Sequence, residues 1–209
     1  LFAYSSMSHF GFIALGIFVF TSVGQTGSVI YMVAHGLSTA GLFIAAGYLM
    51  SRRGGSAQLS SFGGVNKVAP VLAGFFLIAA LSSLALPGMV SFIGEFMVLL
   101  GAFQQYMWVG ALATVGIVLT AAYVLRVYQK SMTGPLNPEC EGMKDLNGRE
   151  ITALVPIAAL IIVLGVFPAP LLNVINPAVD RLMTTVGVSD PEVTYPILSV
   201  PASNEGGSE

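Results

Sequence analysis

The stretch "LPGMVSFIGEFMVLL", Leu86 to Leu100, joins a Pro-Gly pair to a single carboxylate, Glu95. The fourteen residues before it carry no charge, and the next charged residue after Glu95 is Arg126. A carboxylate in so apolar a run is costly to bury. Both the Pro-Gly pair and the glutamate therefore need an explanation.

The whole chain has the same apolar character. Of 209 residues, 55% are hydrophobic and 9% are charged, with a mean hydropathy of +0.84. A soluble domain carries about 25% charged residues, and this chain lacks the charged surface a soluble fold would need. A bilayer core takes about 20 apolar residues of helix, and several runs reach that length. The expected fold is all-α: a polytopic transmembrane helix bundle of about five spans. The net charge of -2 gives no reason to expect nucleic acid, and the one cysteine, Cys140, excludes an internal disulfide. The chain opens on Leu1 within an apolar stretch, with no signal peptide in view. The expectation is a piece of a longer chain.

Spans are expected near 1–23, 28–50, 70–103, 108–128 and 151–167, with "GQTG" (Gly24–Gly27) as the first turn. Residues 1–170 would form the transmembrane domain. Residues 171–188 have the pattern of a short amphipathic helix at the interface. Residues 189–209 form a polar tail rich in Pro, Ser and acids. Arg52, Arg53 and Lys67 fall in the second loop, and Arg126, Lys130, Lys144 and Arg149 flank or fill the fourth. Cations mark the cytoplasmic side, so those loops face inward and the tail faces outside.

The third span is too long for one straight helix. Its 34 residues would measure about 50 Å. Pro87 lacks an N–H and clashes with the preceding turn, and Gly88 permits unusual angles. Two half-helices with an unwound joint at 86–90 are expected, the second capped near Ser91. Such a joint is tolerated at membrane depth only when buried in protein or lining a watery cavity. A packing kink is the plainer alternative.

Glu95 would then lie in the first turns of the second half-helix. Removal from water favours its neutral form, and the positive helix end favours its charged form. A permanent charge at the bilayer centre costs at least ~2.5–3.5 kcal/mol on insertion scales. Intramembrane acids commonly mark ion or proton paths; a neutral or paired glutamate bridging helices is the structural alternative. The two histidines also fall inside spans: His9 in "AYSSMSHFGF" (Ala3–Phe12) and His35 in "MVAHGLSTAGLF" (Met32–Phe43). Histidine changes charge near neutral pH. Hydroxyls surround both, with Tyr4, Ser5, Ser6 and Ser8 near His9, and Ser38 and Thr39 near His35. Hydroxyls and water pass protons along a chain. His9, His35 and Glu95 are the candidate proton-transfer residues, although spacing alone does not make them face one another. There is no phosphate-binding loop, nucleotide fingerprint or cysteine-histidine cluster. No cofactor or metal is expected in this chain.

Three motifs in order, "AYSSMSHFGF", "VAHGLSTAGLF" and "LPGMVSFIGEFMVL", resemble the antiporter-like proton-pumping subunits of respiratory complex I and of multisubunit cation/proton antiporters. The likeness runs from Leu1 to about Pro170. The glutamate of "GEF" favours the M-type branch of NADH–quinone oxidoreductase, since related subunits usually carry lysine there. The resemblance implies a fourteen-helix fold with inverted repeats. This chain would supply helices ten to fourteen, and its broken third span would be helix twelve. It implies that His9 and His35 belong to a hydrated axis and that Glu95 passes the proton outward. It also implies membrane subunits as partners, redox subunits as indirect partners, and a bacterial cytoplasmic membrane as the site. A sodium/proton antiporter subunit and a scaffold bundle without an ion path are the alternatives.

Overall fold

A computed structural model describes residues 2–191 as an all-helical bundle. Its long helices are α1 (Phe2–Phe18), α2 (Ser22–Ser51), α3 (Pro70–Ser83), α4 (Val90–Gln105), α5 (Met107–Met132), α6 (Gly148–Val166) and α7 (Ala169–Val186). On length and composition α2, α5 and α6 can each cross a membrane. The shorter apolar helix α1 and the α3–α4 pair complete the five expected segments. The tail from Glu192 onward lies outside the described residues.

The hub is α2, packed by α1, α3, α4, α6 and α7. Its start corrects the expectation of a turn at Gly24–Gly27. The turn lies earlier, at 19–21, with Phe20 at φ 51. Thr21 caps α2 by accepting the Gly24 N–H at 3.1 Å. Gly24 and Gly27 are helical, and serve close packing instead. A Cβ on Gly27 would sit 2.8 Å from the Val98 nitrogen of α4. One on Gly94 would sit 2.7 Å from the Tyr31 nitrogen of α2, and one on Gly101 would sit 2.8 Å from Gly24. Small residues let membrane helices approach backbone to backbone, so α2 and α4 form one close pair along Gly24, Gly27 and Tyr31.

The third segment is broken, and the break starts earlier than expected. Helix α3 ends at Ser83 in a paired-bond motif: Ala85 N–H donates to Ser82 O at 2.9 Å and Leu86 N–H to Leu81 O at 3.1 Å. That is the Schellman closure, with its left-handed position filled by Ala85 at φ 51 where glycine is usual. Pro87 then bars continuation, Gly88 turns at φ 96, and α4 begins at Val90. Met89, not Ser91, precedes α4, and no side chain caps it. Ser91 is already committed to Ser38 and Ser82. A left-handed L-residue costs roughly 1–2 kcal/mol, and a β-branched one tolerates it worst. Ala85→Val is therefore expected to lower the thermal unfolding temperature in detergent, whereas Ala85→Gly is expected to match or exceed the parent.

Polar ties gather at one end of the bundle. Arg52, just past α2, donates to the carbonyls of Tyr48, Lys144 and Asp145 and to Glu150 Oε2 at 2.6 Å. Glu150 also completes a capping box with Asn147 at the start of α6. The Asp145 carboxylate accepts the Val71 and Leu72 N–H groups, capping α3, whose own preceding residue, Ala69, offers no side-chain cap. Arg53 pairs with Glu139. The two cation-bearing loops thus share one end and are tied together there.

Helix α7 does not stand apart. Its Ile175, Val179 and Met183 pack over Ile30, with Ile93 and Met97 alongside. Thr26 Oγ1 donates to Asn176 Oδ1 at 3.3 Å, and the Asp190 carboxylate accepts the Ser22 N–H at 2.6 Å. The inner face of α7 therefore rests on α2 and α4, while Val174, Leu182 and Val186 stay exposed.

Candidate functional site

The inward face of α1 reads Ser5, His9, Phe12 and Gly16 at helical spacing. It places His9 against α2, where Tyr31 and His35 are one turn apart. The two imidazole rings lie 5.2 Å apart between centroids, and both are buried. His9 Nδ1 is hydrogen-bonded to the Tyr31 hydroxyl at 2.6 Å. Its Nε2 faces Ser83 Oγ at 3.2 Å and Ser5 Oγ at 3.3 Å. Ser5 continues to the Tyr123 hydroxyl of α5 at 2.8 Å. His35 Nε2 lies 2.9 Å from Ser6 Oγ, and Thr39 Oγ1 lies 3.2 Å from His35 Nδ1. Four helices, α1, α2, α3 and α5, thus meet at one imidazole pair through hydroxyls.

Of the hydroxyls expected around the histidines, Ser5, Ser6 and Thr39 do bond to them. Tyr4 and Ser8 do not; with Ser5 and Tyr123 they line a groove of about 390 Å³. They lie off the Ser5–His9 face of α1, which their sequence closeness to His9 conceals. Ser38 does not bond His35 either. It joins Ser82 and Ser91 at the helix break. Tyr31, Tyr123 and Ser83 are the site residues that sequence reasoning missed. Only Tyr31 had a local signal: it precedes His35 by four positions and shares its face.

Glu95 is buried and stands apart from the histidines. It is the sixth residue of α4, in the second turn. Helix-end fields fade within the first turn, so the end of α4 holds it less than expected. It follows Gly94, which is pressed on Tyr31. With Ala85, Phe92, Phe96, Leu99 and Ile117 it lines a cavity of about 90 Å³. One water needs roughly 10–15 Å³ of such space, so several fit by volume. Its walls are apolar except for the carboxylate, and Ala85 brings the cavity to the edge of the break. The three candidates therefore form a touching histidine pair and a separate glutamate, linked by Tyr31–Gly94 packing on one side and the serines of the break on the other.

Comparison with known proteins places these residues in a family. The family model for NADH:quinone oxidoreductase/Mrp antiporter, TM, matches residues 1–120, which include His9, His35 and Glu95. NADH-quinone oxidoreductase subunit M of Mycobacterium tuberculosis is 51% identical over 205 residues, covering 97% of this chain and 37% of that protein. The subunit M of Rickettsia prowazekii is 39% identical over 182 residues, covering 87% and 37%. The chain thus spans little more than a third of these relatives' length. Among solved structures, respiratory complex I from Thermus thermophilus with bound NADH contains a chain that superposes with a TM-score of 0.83 at 34% identity. The match covers 90% of this chain and 39% of that one. The Mrp complex from Dietzia sp. DQ12-45-1b matches with a TM-score of 0.78 at 21% identity, over 88% and 42%, which is a likeness of fold. With its family model matched over more than half its length and with its broken, histidine-bearing bundle, this chain belongs to the NADH:quinone oxidoreductase/Mrp antiporter transmembrane family.

Proposed function

We propose that this chain is part of an M-type membrane subunit of NADH–quinone oxidoreductase, and that it carries protons across the membrane while other subunits pass electrons from NADH to quinone. The buried His9–His35 pair, joined to hydroxyls of four helices, is the observation that carries the proposal. Two imidazoles whose rings nearly touch do not both hold a proton easily, because like charges disfavour each other. Protonation of one is therefore linked to release from the other, which suits a relay. Glu95 is the group that receives the proton and delivers it outward. The remaining partners are neighbouring membrane subunits and lipid, with the redox subunits acting indirectly. The cation-rich end faces the cytoplasm of a bacterium and the tail faces outside, following the positive-inside bias.

The 51% identity to a subunit M supports complex I membership over a free-standing antiporter. The test uses the full-length protein, tagged and purified from its own membrane. Co-purification with flavin and iron–sulfur subunits, together with NADH-driven acidification of inverted vesicles, is expected. A complex without redox subunits that exchanges sodium for protons would assign the chain to the antiporter branch.

Tyr31→Phe keeps the ring, leaves the Tyr31 backbone and Cβ that pack on Gly94 in place, and removes the hydroxyl at His9 Nδ1. Leaving the buried His9 Nδ1 without this partner costs about 1–3 kcal/mol, and the complex is expected to assemble. Protons delivered per NADH are expected to fall several-fold, read by acidification against NADH oxidation. Equal yields in parent and variant would remove Tyr31 from the relay.

A further inference from the structure

Beyond the histidines and Glu95, the break in the third segment carries a second polar cluster. Ser38 of α2, Ser82 at the end of α3 and Ser91 at the start of α4 bring their hydroxyls together. Ser38 Oγ is 2.6 Å from Ser82 Oγ and 3.1 Å from Ser91 Oγ, and the latter two are 3.3 Å apart. All three residues are at most 2% exposed. Ser38 Oγ also donates to Ala34 O at 2.8 Å. Three hydroxyl protons thus serve four hydrogen-bond contacts, so the bonds can run in more than one direction without moving a helix. A hydroxyl both donates and accepts, which is what a proton wire requires. Apolar helix ends packed against α2 would have been cheaper to bury than three hydroxyls.

The position of the cluster is specific. Ser82 adjoins Ser83, whose hydroxyl lies 3.2 Å from His9 Nε2. Ser38 follows His35 by three residues on α2, and Ser91 precedes Glu95 by four on α4. Residues at these spacings share a helix face. The cluster therefore sits at the unwound joint, next in the chain to the Ser83 that meets His9 and one helical turn from both His35 and Glu95.

We propose that Ser38, Ser82 and Ser91 form the hydroxyl relay by which a proton crosses the helix break from the histidine pair toward Glu95. Each hydroxyl takes a proton on its oxygen as its own proton leaves to the next acceptor, so no serine changes its net protonation. The last step, from Ser91 to Glu95, spans one turn at the start of α4. This rests on the proton-carrying function proposed above.

The test measures protons delivered per NADH oxidised in inverted vesicles carrying the full-length subunit within its complex. Parent, Ser38→Ala, Ser38→Thr and Glu95→Gln are compared, with assembly and thermal stability read on each. The expected result is a several-fold lower yield in Ser38→Ala with assembly intact, and a yield restored toward the parent in Ser38→Thr, which keeps a hydroxyl. Ser91→Ala and Ser91→Thr take the same roles where a Ser38 variant does not assemble. Parental yields in the alanine variants beside an impaired Glu95→Gln overturn the serine relay and leave the wider function standing. Parental yields in all variants, Glu95→Gln included, overturn both. A loss that threonine does not restore and that tracks lowered thermal stability makes the serines a structural latch, and overturns the relay.

Discussion

Gly94→Leu is expected to abolish accumulation of the folded subunit. Even a single Cβ at this position would lie 2.7 Å from the Tyr31 nitrogen and 2.8 Å from its Cα, both backbone atoms that no rotamer change can move aside. The longer leucine has to push α4 away from α2 along the line where Gly27 faces Val98 and Gly101 faces Gly24. Overpacking a tight core commonly costs 1–3 kcal/mol, and more where only backbone can yield. The displaced parts include Tyr31, which holds His9, and Glu95, the next residue on α4. Immunoblots of membranes and native gels of the complex read the outcome: little or no assembled subunit. Gly36→Ala, where an added Cβ meets nothing within 4 Å, is the control expected to assemble normally. Normal assembly of Gly94→Leu would mean that the α2–α4 contact is looser than described.

Much of this arrangement is legible in the sequence. Pro87-Gly88 inside an over-long apolar run announces a broken helix, and an acid without a nearby charge announces a special carboxylate. What the sequence hides is decided by packing. Ala85 takes a left-handed angle that its residue type does not advertise. Gly24 and Gly27 look like a turn, because glycine serves turns and close helix contact equally well. Thr21, a good cap in either case, is what settles where α2 begins. The hydroxyl partners are harder still. Serines crowd α1, and which of them meets a histidine depends on the rotation of that helix against α2. Ser83, Ser91 and Tyr123 reach the site only through tertiary contact, from far along the chain.

Glu95 carries the second large effect. It is a buried carboxylate at the edge of the break, facing a small cavity in an otherwise apolar wall. Glutamine has the same shape and keeps a polar tip, so the helix pair has little reason to separate. What glutamine lacks is a proton it can take up and release. Positioned proton-transfer groups contribute roughly 10²–10⁴-fold to the steps they serve. Coupled transport is therefore expected to fall by at least about tenfold in Glu95→Gln. Glu95→Asp, which keeps the acid on a shorter stem, is expected to retain part of it.

The most direct measurement is NADH-driven acidification of inverted membrane vesicles carrying Glu95→Gln in the full-length subunit, with NADH–quinone electron transfer assayed in the same vesicles. The predicted result is an assembled complex in which acidification, or the electron transfer tightly coupled to it, collapses. An assembled complex with both rates equal to the parent would contradict the account, because the one carboxylate isolated beside Pro87-Gly88 would then carry no proton.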